Sequence, residues 1–151
     1  MEPQPRTPLS EAGRQNLLDT LKQEWRQLHF LTELSEITPY ECDALAAFTQ
    51  LPLGVVLPEN EAQVQMVLKT CMRLGIAVVP RGAGTGLAGS AMPTPDGIVL
   101  STAKLNKIVN VNPQARTATV QPGGAGASIT ARTAPACTPF WRARQANSRA
   151  A

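Results

Sequence analysis

Residues 80–89 read Pro-Arg-Gly-Ala-Gly-Thr-Gly-Leu-Ala-Gly, four glycines in ten positions behind the apolar run Ile76-Ala77-Val78-Val79. Glycine at that density is costly in backbone entropy unless the chain must take positive φ or let a ligand approach closely. The decapeptide is therefore neither helix nor strand but a loop, and the run before it reads as a strand. A strand ending in such a loop aims several backbone N–H groups at one point, which suits a phosphate. Thr85 and Ser90 would add hydroxyl donors there, and Arg81 a positive charge.

Two familiar phosphate loops fail on context. Gly84-Thr85-Gly86-Leu87-Ala88-Gly89 matches G-x-G-x-x-G, but that fingerprint requires a helix opening inside the motif and an acidic residue about 20 positions on. Pro93, Pro95 and the turn signal Asp96-Gly97 follow instead, and Asn106-Lys107 stand where the acid belongs. A nicotinamide-binding Rossmann reading is thereby disfavoured. No Gly-Lys-Ser/Thr closes the loop, so it is not a nucleoside-triphosphate P-loop either. What remains is an extended glycine loop between two strands.

The surrounding chain is organised to match. The proline-rich residues 1–8 form an arm, and Ser10 can cap a helix running to about His29, with Leu17, Leu18, Leu21, Trp25 and Leu28 as its apolar stripe. Residues 32–48 are mixed, with Tyr40 and Asp43 close together after Pro39. Leu53–Leu57 reads as a buried strand, and Asn60 caps a helix with Gln63 at its third position, a variant of the capping box. Val64, Val67, Leu68 and Cys71 mark that helix's buried face, and Gly75 sits where a C′ glycine belongs. With the strand at 76–79 this makes a β-α-β unit. Further strands are expected at 97–102, 108–112 and 117–121, the last two antiparallel across the turn Asn112-Pro113-Gln114-Ala115. The class is α+β: an N-terminal arm and helix, a β-α-β unit with further strands, and from Gly123 a poorly ordered stretch rich in Ala and Arg.

Charge and cysteines narrow the function. The net charge of +3 lies in the tail, where Arg132, Arg142, Arg144 and Arg149 face no acids; residues 1–124 hold ten basic against eleven acidic side chains. A body so balanced lacks the basic stripe of a nucleic-acid binder. No apolar run approaches the roughly 20 residues of a membrane span, and no signal core opens the chain. Cys42, Cys71 and Cys137 form neither a metal motif nor a disulfide framework, which fits a reducing cytoplasm.

The combination Leu53-x-Val55-Val56-x-Pro58, a helix containing Val64 and Cys71, then Val78-Val79-Pro80-Arg81-Gly82-Ala83-Gly84-Thr85-Gly86-Leu87-x-Gly89 resembles the FAD-binding domain of FAD-linked oxidases. This is the p-cresol methylhydroxylase or vanillyl-alcohol oxidase superfamily. Tyr40-Glu41-Cys42-Asp43, Leu105-Asn106-Lys107-Ile108 and Val120-Gln121-Pro122-Gly123 are similar to the group holding the glycolate oxidase flavin subunit and D-lactate dehydrogenases. The likeness covers about 38–123, with a faint register on to Ile129 and Ala134-Pro135, and implies an N-terminal arm and helix (1–37), a partial FAD-binding domain (38–135) and a divergent, poorly ordered tail (136–151). It implies that Arg81 to Gly89 contact the FAD pyrophosphate mainly through main chain, with Pro80 and Gly123 bordering the same groove. Members with covalent flavin use His or Cys; the sole histidine, His29, lies outside the matching segment, so non-covalent FAD is expected. The implied reaction is oxidation of a 2-hydroxy acid such as glycolate or D-lactate, and the implied partners are other subunits of a glycolate oxidase-like complex.

After Pro135 the likeness stops. The resemblance implies a further flavin-contacting segment and a substrate domain, whereas this chain turns to Ala136-Cys137-Thr138-Pro139-Phe140-Trp141-Arg142 and an Arg/Ala-rich stretch. The expectation is a truncated or frame-shifted product that binds FAD weakly or not at all and is inactive alone. The rival is a non-catalytic remnant or interaction module without flavin. His29, Tyr40, Asp43 and Arg116 are polar candidates that no motif groups, and none is assigned a catalytic role.

Overall fold

The computed structural model describes residues 9–45, 47–112, 114–115, 117–123 and 144–145. The expectations for the N-terminal arm, for most of the tail and for Arg116 lie outside these residues.

Helix α1 spans Glu11–Glu24, and Ser10 caps it as expected, its Oγ accepting from Gly13 N at 3.2 Å. The helix ends sooner than its apolar stripe. Trp25 leaves helical geometry (φ −103°), and a turn carries Leu28 inward before strand β1, His29–Leu31. A short helix α2 (Leu34–Ile37) and a 3-10 turn (Thr38–Tyr40) lead on to β2, Gly54–Leu57. Helix α3, Glu61–Leu74, has both predicted ends. Asn60 Oδ1 accepts from Gln63 N at 2.9 Å, and Gly75 takes the left-handed conformation at φ +68°. Gln63 completes the box one residue further back, its Oε1 accepting from Glu59 N at 2.7 Å.

Strand β3 is Val78–Arg81, so it runs two residues into the glycine-rich decapeptide; β4 is Ile98–Ser101. The main sheet has the order β1-β2-β4-β3, with β1 antiparallel and the other three parallel. The β-α-β unit therefore has β4 inserted between its two strands. Strands β5 (Ile108–Asn112) and β6 (Thr117–Val120) pair antiparallel as expected, and β7 (Arg144–Gln145) joins β6 in parallel.

Parallel strands are buried on both faces and read as continuous apolar runs. Every residue of β2 and β4 is buried here. The period of two sends Val56, Ile98 and Leu100 to one face, under Leu21, Trp25, Leu28, Val67 and Cys71. Val55, Leu57 and Val99 go to the other, under Ile37, with Leu31, Tyr40 and Leu51 packed against them. Phe30 meets Trp25 edge-to-face (centroids 5.0 Å apart, 84° between planes) and lies over Gly54. A Cβ on Gly54 would sit 2.6 Å from that ring, so only glycine lets the two approach. Leu68 departs from the expected buried face: it is exposed, and Thr70 is buried in its stead. Thr70 donates to Glu24 at 3.1 Å, and Arg73 also bonds Glu24, tying α3 to the end of α1 and holding that carboxyl below its ordinary range.

Cys71 lies in the first core, and burial pushes its thiol from about 9 up to about 11. Below pH 9 the thiol is protonated in both states. Between 9 and 11 the unfolded chain loses the proton that the folded chain keeps, so stability falls as pH rises through that window. Urea midpoints measured at about pH 8 and about pH 10.5 should show this drop, and Cys71→Ala should flatten it. An unchanged slope in the variant would remove Cys71 as its source.

Candidate functional site

Strands β3 and β4 are parallel neighbours, and such neighbours need a long crossover, usually a helix. Here the crossover is the glycine loop, residues 82–97, leaving the carboxyl end of β3. In open α/β sheets that end is where ligands bind. Three chain segments converge there. Arg81 O accepts from Thr102 N at 2.9 Å; Leu105 O accepts from Gly123 N at 2.8 Å; a Cβ on Gly82 would lie 4.0 Å from Pro122 O. Gly123 is pressed against Thr102, whose carbonyl carbon would be 2.7 Å from any Cβ placed there. Gly123, which the resemblance implies at the border of the groove, lies against Thr102 and Leu105, and its neighbour Pro122 faces Gly82.

Within the loop, Gly84 and Gly89 take φ +70°. Gly82, Ala83, Thr85, Gly86, Leu87 and Ser90 are exposed. The amides of residues 82–89 donate no hydrogen bond to any described residue, whereas the next stretch closes on itself through Met92 N to Gly89 O (3.1 Å) and Gly97 N to Thr94 O (3.0 Å). Amides without an acceptor on a curved, glycine-rich path are an arrangement that suits an anion. Pro80 belongs to β3 rather than to the loop.

Arg81 turns inward. Its Nη1 donates to Cys42 O at 2.5 Å, and its guanidinium lies 5.4 Å from the centre of the Tyr40 ring. The same group fills the space beside Gly84, where a Cβ would be 2.6 Å from the guanidinium carbon. Residue 44 supplies a second tie, Ala44 N donating to Gly86 O at 3.1 Å. Asp43 is 5 % exposed; Oδ1 accepts from Leu45 N at 2.9 Å, and Oδ2 has no partner among the described residues. Segment 40–44 is thus the inner wall of the loop, a role that motif spacing did not assign. The signal available was Tyr40 and Asp43 close together after a proline. His29 stands apart, on the strand at the opposite edge of the sheet from β3.

A sheet of three parallel strands and one antiparallel strand with helices packed on it, carrying at its carboxyl end a loop whose amides have no acceptor among the described residues, has the layout of a nucleotide-binding unit. Residues 52–140 match the FAD binding domain family, and the chain belongs to it. It is 42 % identical over 127 residues to glycolate oxidase subunit GlcD of Escherichia coli K12, covering 84 % of this chain and 26 % of that protein. It is 36 % identical over 104 residues to D-2-hydroxyglutarate dehydrogenase of Xanthomonas citri, covering 69 % and 22 %. The structure of p-cresol methylhydroxylase with substrate bound superposes with a TM-score of 0.69 at 26 % identity, over 80 % of this chain and 25 % of that one. The chain spans about a quarter of the length of these relatives. The α+β class and the p-cresol methylhydroxylase-type FAD-binding fold expected from sequence are both found.

Proposed function

We propose that this chain binds FAD without a covalent link, the pyrophosphate lying along the amides of residues 82–89 with Pro80, Arg81 and Gly123 at the border of the groove. The observation that carries this is the run of loop amides with no acceptor among the described residues, beside a guanidinium. Those groups fit a doubly charged pyrophosphate in size, sign and donor number. The place of His29, at the far edge of the sheet, supports a non-covalent cofactor. FAD, when bound, supplies the acceptor for a hydride, that is, one proton with two electrons. This chain's residues bind and orient it. The FAD unit is assigned to 38–135, and none of its residues is assigned a catalytic role.

The substrate class follows from the relatives, whose names point to 2-hydroxy acids: glycolate and D-2-hydroxyglutarate. We assign the chain to the FAD-binding part of an enzyme that oxidises such an acid, in the cytoplasm, with other subunits as partners because one relative is itself a subunit. No helix among the described residues is long and apolar enough to cross a membrane.

Magnitudes set the expected affinity. Three or four charge-assisted hydrogen bonds at roughly 1.5–3 kcal/mol each supply about 5–12 kcal/mol, against an association cost of about 4–15. The best case leaves a net of about 8 kcal/mol, so the 151-residue chain should hold FAD no tighter than about 1 µM. Titrating flavin fluorescence with the chain, with ADP as competitor, measures this. Saturable quenching relieved by ADP is expected; none at millimolar chain would end the proposal.

A further inference from the structure

Arginine in a phosphate loop is ordinarily read as a ligand to the phosphate. The geometry around Arg81 assigns it a different task. Its guanidinium is engaged at three points of the described chain: a hydrogen bond to Cys42 O, the face of Tyr40, and the vacant side-chain position of Gly84. Tyr40 in turn packs on Ile37, Val55, Leu57 and Val99, the second core of the sheet. A chain of contacts therefore runs from buried sheet to ring to guanidinium to the left-handed glycine of the loop. The tie from Ala44 N to Gly86 O fixes the same loop two residues further on.

We propose that Arg81 is a positioning residue: through Tyr40 and Cys42 it sets the curvature of the glycine loop, so that the amides of residues 82–89 face one point before any ligand arrives. This rests on the reading of the loop as the FAD pyrophosphate site. Rigidity in the free state matters because an amide array that must be ordered on binding loses affinity to that ordering. The role also explains the residue type. A guanidinium is flat, so it can lie on an aromatic ring while its in-plane N–H groups reach a carbonyl; a lysine ammonium keeps the charge but lacks the plane.

Lysine substitution therefore separates positioning from charge. Order parameters from 15N relaxation on the free 151-residue chain should lie near the rigid value of about 0.85 for residues 82–89. In Arg81→Lys, Arg81→Met and Tyr40→Leu they should fall toward about 0.6, while Tyr40→Phe, which keeps the ring, should match the parent. ADP affinity should drop about tenfold or more in both Arg81 variants, lysine no better than methionine. Parent-like loop order and ADP affinity in Arg81→Lys would overturn the proposal, leaving Arg81 as a charge alone. Should the parent chain bind neither ADP nor FAD, the cofactor reading falls. The order parameters of the free chain still decide the role of Arg81, which needs no ligand to be seen.

Discussion

Gly84→Ala is expected to weaken FAD binding by at least tenfold while leaving the urea midpoint of the chain nearly unchanged. Gly84 has φ +70°, a conformation that costs an L-residue about 1 kcal/mol or more. A methyl group there would also stand 2.6 Å from the guanidinium carbon of Arg81. Either the loop shifts or Arg81 leaves Cys42 O, losing a charge-assisted bond of about 1.5–3 kcal/mol. Together these amount to roughly 2–4 kcal/mol, against 1.4 for each factor of ten in affinity. The penalty falls on the binding-competent loop rather than on the core, because the loop lies at the surface and can relax in the free chain. Gly86→Ala is the control: φ is not positive there, and a Cβ would meet only Ser90 Oγ at 3.7 Å. Fluorescence titration of the two variants side by side reads the difference, and equal affinities would show that the loop's present curvature is not the one that binds.

The largest loss of stability is expected at Trp25. It is 1 % exposed, sits between α1, α3 and the sheet, and braces Phe30 over Gly54. Truncating such a side chain to alanine removes about 3–5 kcal/mol, a large share of the roughly 5–15 that a domain of this size holds. Trp25→Ala should therefore lower the urea midpoint by a large fraction of its parent value. Trp25→Phe should lie much closer to the parent. It keeps an aromatic ring and removes an indole N–H that is buried without an acceptor among the described residues. A midpoint for Trp25→Ala within experimental error of the parent would mean that the first core is organised elsewhere.

Local features of this fold could be read from sequence, and non-local ones could not. Ser10, Asn60 and Gly75 act through bonds to residues three or four positions away, so their chemistry is visible in a short window. The glycine loop between strands was legible for the same reason. Strand β1 was missed because His29-Phe30-Leu31 has no pattern of its own; it is a strand because Leu57, Val56 and Val55 pair with it. Helical spacing through Trp25 and Leu28 overran the end of α1, since a turn that points inward buries the same residues as another helical turn. Insertion of β4 between β2 and β3 is a choice of partner across distant parts of the chain. The orientation of Arg81 belongs to the same class. Its type suggested a ligand for anions, and only its placement over Tyr40 shows the protein-facing contacts.

Strand β3 stands at the rim of the main sheet, and Pro80 is its third residue. The carbonyls of Ala77 and Arg81 accept from Ile98 and Thr102, so Pro80, out of phase with them, turns its backbone outward. At that point the rim offers no N–H to an incoming strand. A sheet border left open beside an exposed loop invites edge-to-edge aggregation between copies of the chain, and a proline on the border discourages it. The residue that opens the decapeptide thus withholds a ladder donor from any strand that would add to that border beside the loop.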